Sequence, residues 1–455
     1  MTDVTGWRTA RLDELCDINP PKPSLNEVDG TTEVLFVPMA SVDEVSGTVA
    51  RPEQSTIDAV GRKSYRSFTA GDILFAKITP CMENGKSAVV PPIATGYGFG
   101  STEFHVLRPK ASTNGRLIWH LVRQRAFRNE AANHFTGTVG QLRVPADFLR
   151  SFQMSIPTDS EEQALLADVL DLATAKALSA VSRLALASRA IERFRQAVLA
   201  AACCGRLTAG WRIENAIGAG GELVDRVTEE RRAHLGRRFH ELPTEIDAMP
   251  EIPESWAWAS SAALCEPDRV ITYGVVKLGP PVEDGVPTLR SSDVRWLHID
   301  SSSVKRISHE IAGNYKRTYL KGGEILVTVR GTLGGVAVAP PEMSGWNVSR
   351  EVAVIPLSQH LDADYCALCI ANMHSQRWLT GVAKGVAYTG VNIEDLRKLP
   401  MPIPPIAEQR EIVRVVSQLL KSAGTLLARI DAAGHQVDRT SQAVLAKAFR
   451  GELSA

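Results

Sequence analysis

Two stretches of this chain lie 246 residues apart and agree at eight of thirteen positions: RQAVLAAACCGRL at 195–207 and SQAVLAKAFRGEL at 441–453. An internal repeat of this kind constrains the fold before any single residue does, because whatever one half builds the other must build too. Further matches run in the same order along the chain. Trp7 meets Trp256 and Leu15-Cys16 meets Leu264-Cys265 at an offset of 249, while GDILFAKI from Gly71 meets GEILVTVR from Gly323 at 252. Ile156-Pro157 matches Ile403-Pro404, and Glu162-Gln163 matches Glu408-Gln409. The offset drifts by a few residues only, as insertions in surface loops would produce. The 455 residues are therefore read as a duplicated unit, within the two to four domains that such a length suggests.

Each half divides into two parts. The first, 1–157 and 251–404, is rich in β-branched residues, Gly and Pro. Short apolar runs at Val34–Val37, Ile73–Phe75, Ile325–Val329 and Val352–Ile355 read as strands, and Arg116–Arg128 and Ala363–Leu379 read as helices. Each is a mixed α/β globule long enough to bury its own core. The second part is one long helix, placed at 158–204 and 405–455, with 205–250 as a linker that begins Gly-rich and continues as a charged helix. From Glu161 to Ala202 there is neither Gly nor Pro. Apolar residues recur every seven positions, with Leu170, Leu184, Ile191 and Val198 on one seam line and Leu166 and Phe194 on the other. In the second helix Val416, Ile430, Val437 and Val444 alternate with Ile412, Leu419 and Leu426. That spacing is the coiled-coil signature. Both helices follow a proline and carry acid in the first turn. Gly424 and Gly434 each cost the second about 1 kcal/mol relative to Ala, so tertiary packing must support it. The fold class is thus α+β, or mixed: two α/β domains joined by two long antiparallel coiled-coil helices with an internal pseudo-twofold repeat. A rod of about 42 residues would span roughly 63 Å. The alternative is that each helix packs separately on its own globule.

Chemistry is conspicuous by what the motifs lack. Asn19-Pro20-Pro21 is followed by Lys22 rather than by an aromatic that could stack on a flipped base, so 19–23 reads as a loop. Gly85-Lys86-Ser87 has Pro80 where a phosphate-cradling loop needs glycine. None of the fourteen lysines has an acid two residues before it, as a restriction-type nuclease site would want. No HExxH and no GxSxG occurs, and Cys366 and Cys369 lack a second Cys/His pair to complete a zinc site, so they read as core. The expectation is no catalytic residues, no metal and no cofactor in this chain. Seven scattered cysteines do not suggest a disulfide framework. No apolar run reaches the length of a membrane span and the first residues lack a signal-peptide pattern, so the expected location is the cytoplasm, without membrane contact.

Acidic and basic residues balance at 51 each, but their distribution is uneven. Residues 1–50 hold three Lys/Arg against nine Asp/Glu, 51–150 hold fourteen against seven, and 269–350 hold eleven against seven. Arg outnumbers Lys 37 to 14. Arginine's planar fork grips phosphate and guanine edges, although a GC-rich genome would produce the same ratio.

The helix entries IPTDSEEQALLADVL at 156–170 and IPPIAEQREIVRVV at 403–416 carry a family resemblance. So do the helix ends AVLAAACCGRLTAGWR at 197–212 and AVLAKAFRGEL at 443–453, and the lead IPESWAW at 252–258. Together they make the chain similar to the specificity subunits of type I restriction-modification systems over essentially its whole length. Thr158-Asp159 departs from the usual proline pair. The resemblance implies a DNA-recognition and scaffold subunit of a phage-defence complex. Each globule would be a target recognition domain reading one half of a split double-stranded DNA site, with the helices fixing the unread gap. The chain would dock two methyltransferase subunits and, with two restriction subunits, complete an endonuclease. It would be the non-catalytic part of a type I site-specific deoxyribonuclease and adenine-N6 methyltransferase, in which S-adenosylmethionine, ATP and magnesium belong to the partners. The alternatives are the same scaffold in a methylation-only or other defence complex, or a coiled-coil scaffold that binds only proteins.

Base contacts should come from polar loop residues, and phosphate contacts from Arg, Lys and backbone N–H groups. In the first globule the candidates are the basic cluster Arg62, Lys63, Tyr65 and Arg66, then Lys77, Thr79 and Lys86 after a strand, then Thr136, Thr138, Gln141 and Arg143 in a Gly-rich loop. In the second they are Arg290, Ser291 and Arg295, then Arg330 and Thr332 as rough counterparts of Lys77 and Thr79, then Lys384, Tyr388, Thr389 and Asn392. Any one of them could equally be a structural or solvated polar group.

Overall fold

The computed structural model describes residues 6–138, 141–215, 218–242, 244, 250–382 and 390–453. The chain forms two compact units, Met1–Ala187 with Arg429–Ala455, and Ser188–Ala428.

In the first unit a four-stranded antiparallel sheet has the order Cys16–Ile18, Phe104–Pro109, Ile73–Ala76, Ser87–Val89. A second sheet runs Glu53–Thr56, Glu33–Val37, Gly98–Gly100, Arg66–Phe68, with its middle pair parallel. Ile73–Ala76 is buried along its whole length. Both of its faces are covered, which is why it reads as a continuous apolar run rather than an alternating one.

The second unit repeats three strands of the first sheet, as Val352–Ile355, Ile325–Thr328 and Val336–Val338. On its edge the pairing of Cys16 with Pro109 is reduced to a bridge between Cys265 and Leu357, and Thr272–Tyr273 pairs further along Val352–Ile355. The second unit also repeats the parallel pairing, here between Val286–Leu289 and Asn347–Val348. The duplication seen in the residues is thus a duplication of hydrogen-bonded topology.

Each globule is entered and left through one strand pair. Trp7–Arg11 pairs antiparallel with Gln153–Pro157, and Ala257–Ser260 with Pro400–Ile403. The two residues that open each long helix then lock this doorway. Gln163 accepts the backbone N–H of Asn114 at 2.8 Å and donates to the carbonyl of Pro157 at 3.0 Å. Gln409 accepts from Asp362 at 2.9 Å and donates to Pro404 at 2.8 Å. The neighbouring glutamates take the indole N–H of the entry tryptophans, Trp7 to Glu162 at 3.0 Å and Trp256 to Glu408 at 2.9 Å. The Glu-Gln pair recurs in the sequence because it fastens helix, doorway and helix cap at once.

The long helices run over Ser160–Cys203 and Ile406–Ala448. Within the first unit Leu166, Ala167 and Leu170 of the one share a core with Leu445 and Ala448 of the other. Within the second, Val198, Leu199, Ala202 and Cys203 share a core with Ile412 and Val416. In each unit the start of one helix therefore packs with the end of the other.

The strict seven-residue seam needs correction: Phe194 is 44% and Leu426 48% exposed. The covered stripe passes instead through 166, 170, 177, 184, 188, 191, 195, 198 and 202, and through 412, 416, 419, 423, 427, 430, 434, 437, 441, 445 and 448. That is a 3.6-residue period. A straight helix drifts about 20° per heptad away from a 3.5-residue seam, which rotates one seam line into solvent.

The two shorter helices expected in the globules are each broken. The first is Gly115–Arg123 followed by Arg125–Asn133, and the second is Ala363–Ala371 followed by Met373–Val382. Gln124 and Asn372 stand at the breaks in extended conformation. Asn372 uses its side-chain oxygen to cap His374 N–H at 3.2 Å, as a helix start requires.

Cys366 and Cys369 are buried in the core, as expected, and all seven cysteines are free thiols. Residues 205–250 include a helix, Gly220–Leu235, that lies close against its neighbours. A Cβ on Gly220 would stand 1.9 Å from the carbonyl oxygen of Ile403, so only glycine permits this approach.

Candidate nucleic-acid interface

Two of the three loops predicted in the first globule come together. Lys77 N–H donates to Glu103 O at 2.9 Å, Val144 N–H to Lys77 O at 2.9 Å, and Thr79 N–H to Leu142 O at 3.0 Å. Thr136 and Arg143 exchange backbone hydrogen bonds at 3.0 and 2.9 Å, and Leu142 and Val144 pair with Thr79 and Lys77, so the segment around Arg143 is laid along 77–79. In the second globule Val329 N–H donates to Glu351 O and Val391 N–H to Val329 O, both at 2.8 Å, and Arg330 bridges to Gly390. The same junction is built twice, but the expected pairing of Arg330 with Lys77 is off by one. Val329 occupies the place of Lys77, and Arg330 that of Ile78. Thr332 is exposed on the turn that follows.

The junction rests on a signal that the residue reading missed. Ser101-Thr102-Glu103 and Ser349-Arg350-Glu351 stand 248 residues apart. In each, the serine hydroxyl accepts the glutamate N–H, at 3.2 and 3.3 Å. The two carboxylates then differ in use. Glu103 takes a bidentate contact from Arg143 at 2.9 and 3.0 Å, whereas Glu351 accepts from the backbone and hydroxyl of Ser291 at 3.2 and 2.7 Å. Arg143 and Ser291 are therefore tied down. They shape the loops, and neither is an open donor.

Several other candidates also have structural work. Arg290 is held by Asp293 at 3.1 and 3.0 Å, and the Thr79 hydroxyl donates to Glu83. Asn392 caps the helix Ile393–Lys398, and Tyr65 packs edge-on against Phe36 at 4.8 Å. Lys86 donates to Met39 O at 3.4 Å, and Arg62 pairs with Asp58 at 3.6 Å. Lys63, Thr138, Gln141, Arg295 and Arg330 are exposed. Lys384, Tyr388 and Thr389 lie outside the described residues.

A basic edge remains in the first globule, and it includes a residue set aside in the loop reading. Lys22 reaches across to the carbonyls of Gly61, at 3.1 Å, and Lys63. Burial and then the charge of Arg66 lower the pKa of Lys22. For Lys77 burial again comes first. Glu103 opposes it, and Arg66 and Arg143 add to the lowering. Lys22, Arg66, Lys77 and Arg143 thus form one electrostatic neighbourhood with Glu103 as its counter-charge. Such an edge suits phosphate.

Behind it His105 is buried. Its Nε2 donates to Val144 O at 2.8 Å and its Nδ1 accepts from Asn19 at 3.0 Å, fixing the loop to the sheet. Burial is the main cause that drives its pKa from 6.5 to about 4. As pH falls the unfolded chain takes up this proton first, so the stabilisation is complete above 6.5 and disappears toward 4. Melting curves from pH 8 to 4 should show the wild type losing ground to His105→Gln only below pH 6.5. A constant difference across that range would contradict this.

Among the described residues no group of three or more His, Cys, Asp or Glu side chains is placed to hold a metal ion, and no helix is long and apolar enough to cross a membrane.

Comparison with known proteins identifies the class. Residues 5–180 and 285–432 match the type I restriction modification DNA specificity domain, and the chain belongs to that family. It is 32% identical over 327 residues to the type I restriction enzyme EcoBI specificity subunit of Escherichia coli, a match covering 71% of this chain and 63% of that one. It is 24% identical over 511 residues to the EcoEI specificity subunit of Escherichia coli, covering 97% and 82%. A chain solved in work on complex assembly and conformational transition of the type I R-M system superposes with a TM-score of 0.66 at 19% identity, covering 99% of both chains, and shows the same fold. The relatives are specificity subunits, in keeping with the reading of this chain as a recognition subunit and not an enzyme.

Proposed function

We propose that this chain reads a bipartite double-stranded DNA target, one half-site per globule, and docks two methyltransferase subunits of a type I restriction-modification complex, to which two restriction subunits add. The observation that carries the reading is the junction built twice with different side chains: Lys77, Arg143 and Glu103 in one globule, Val329, Arg330 and Glu351 in the other. A common scaffold with unlike surfaces is what two different half-sites require. Phosphate contacts position such a reader, and the exposed loop residues Thr138, Gln141, Arg295 and Thr332 are placed to meet base edges. A duplicated chain also offers two equivalent docking surfaces to two identical partners. S-adenosylmethionine, ATP and magnesium are assigned to those partners, and the complex to the cytoplasm.

The test is a salt series of mobility shifts on the complex assembled with its methyltransferase partner. Each phosphate contact adds about 0.9 to the slope of log affinity against log salt. Arg66→Ala with Lys77→Ala should lower that slope by about 2 and weaken cognate and random DNA alike. An unchanged slope in a folded double variant would refute the basic edge. A wild-type complex with no preference for its own site would refute recognition altogether.

A further inference from the structure

A cavity of about 230 Å³ lies within the first unit, and none of its lining residues is among those predicted to touch DNA. Its walls include Arg123 and Arg128 from the broken helix pair, Thr174 from the first long helix and Ser441 from the second. Neither arginine meets a carboxylate. Arg123 donates to the carbonyls of Glu44 and Val45 at 3.2 and 2.7 Å and stacks on Trp119 at 5.0 Å. Arg128 donates to Glu83 O at 2.7 Å, and its Nε is buried with no partner.

The nearby acids, of which Glu44 and Asp438 also line the cavity, are hydrogen-bonded to other groups. Asp438 is held by Arg125 at 2.7 Å, and Asp171 by His120 and Arg116 at 2.8 and 2.7 Å. Asp43 accepts Ser46 N–H and hydroxyl at 2.6 and 2.8 Å, and Glu44 accepts from Asn84 at 3.3 Å. Burial, then the proximity of Arg128, pushes Arg123 down to about 10, and burial with Arg125 lowers Arg128. Glycines stand directly against both guanidinium groups. A Cβ on Gly47 would lie 2.5 Å from Arg123, and one on Gly85 2.5 Å from Arg128. Asp43 acts on Arg123 and Asp438 on Arg128 through space without an ion pair, so two half-buried cations hydrogen-bonded to carbonyl dipoles leave a place for further negative charge. At the repeat offset of 248 the second globule has Ala371 and Gln376, so the repeat does not carry this arginine pair.

We propose that this cavity binds a phosphate-class oxyanion between Arg123 and Arg128. A tetrahedral dianion matches two guanidinium forks, and Thr174 and Ser441 line the same space. The anion could be free phosphate or a phosphate of a nucleic-acid backbone, which present the same oxygens.

The test is thermal unfolding of the full chain in inorganic phosphate, chloride or acetate at matched ionic strength, with ³¹P line broadening as a second readout. The wild type should show a saturable rise in melting temperature and ³¹P broadening with phosphate only, and Arg128→Gln should show neither. No saturable effect in the wild type, an equal effect of acetate, or an undiminished effect in Arg128→Gln would overturn the proposal. If Arg128→Gln fails to fold, Thr174→Glu places a carboxylate in the cavity. It should raise the melting temperature in chloride and abolish the phosphate response, and a retained response would overturn the proposal equally. Adding a DNA duplex identifies the source. Displacement of bound phosphate marks a backbone-phosphate site and non-displacement a free-phosphate site, and both leave the oxyanion site standing.

Discussion

Replacing Glu408 by alanine should destabilise the second unit by about 3–5 kcal/mol, the cost of stranding a buried charge. The Glu408 carboxylate is fully buried. It accepts from Trp256 at 2.9 Å, from the Thr208 hydroxyl at 2.6 Å, and from Arg212 at 2.7 and 3.0 Å. Removing it leaves the Trp256 and Thr208 donors without that acceptor and strips Arg212, which keeps the Gly205 carbonyl at 2.6 Å and lies 5.6 Å above the Trp256 ring, of its counter-charge. The repeat supplies an internal control. Glu162 holds the same place in the first helix but, among the described residues, accepts from Trp7 alone and is partly exposed. Glu162→Ala should therefore cost only about 1 kcal/mol, the net worth of one hydrogen bond. Urea unfolding of the two variants, followed by tryptophan fluorescence, measures both. Equal losses would show that the added partners of Glu408 contribute nothing.

Much of this architecture was written plainly in the residues. The Gly- and Pro-free run from Glu161 to Ala202 could scarcely be anything but a long helix, and the ordered matches around Trp7 and Trp256 foretold two similar globules. What could not be read was the distinction between two close periods. Over a few turns 3.5 and 3.6 residues per turn select nearly the same positions, and only packing separated Phe194 from the covered stripe. The breaks at Gln124 and Asn372 were equally silent, since both residues are tolerated in helices and the chain is redirected there by its surroundings.

The candidate interface was legible as loops and poorly legible as residues. Arg143, Arg290 and Ser291 are polar and loop-borne, as contact residues would be, but each already has a carboxylate partner distant enough, or ambiguous enough, to be invisible in sequence. Lys22 was passed over because its neighbours in the chain are prolines, whereas its neighbours in space are the carbonyls of Gly61 and Lys63. The Ser-x-Glu repeat at 101–103 and 349–351 was detectable, being aligned at the same offset as the rest. It was missed because three residues with one variable position carry little weight alone.

Duplicating one globule should convert the methylated sequence into a symmetric one. Each globule leaves the rest of the chain through adjacent residues: Arg11 pairs with Gln153, and Ser260 with Pro400. Residues 261–399 can therefore replace 12–152 with the doorway strands and the Gln163 lock kept in place. If each globule reads its own half-site, the hybrid carries two copies of one reader. If the pseudo-twofold repeat expected from the sequence holds the two copies to DNA in opposite senses, the site they read is an inverted repeat. Methylome sequencing of cells carrying the hybrid and the partner methyltransferase is the direct measurement. The account predicts loss of the original two-part motif and the appearance of an inverted repeat of the half-site belonging to residues 261–399. Persistence of the original motif, or a new motif containing neither half, would contradict it.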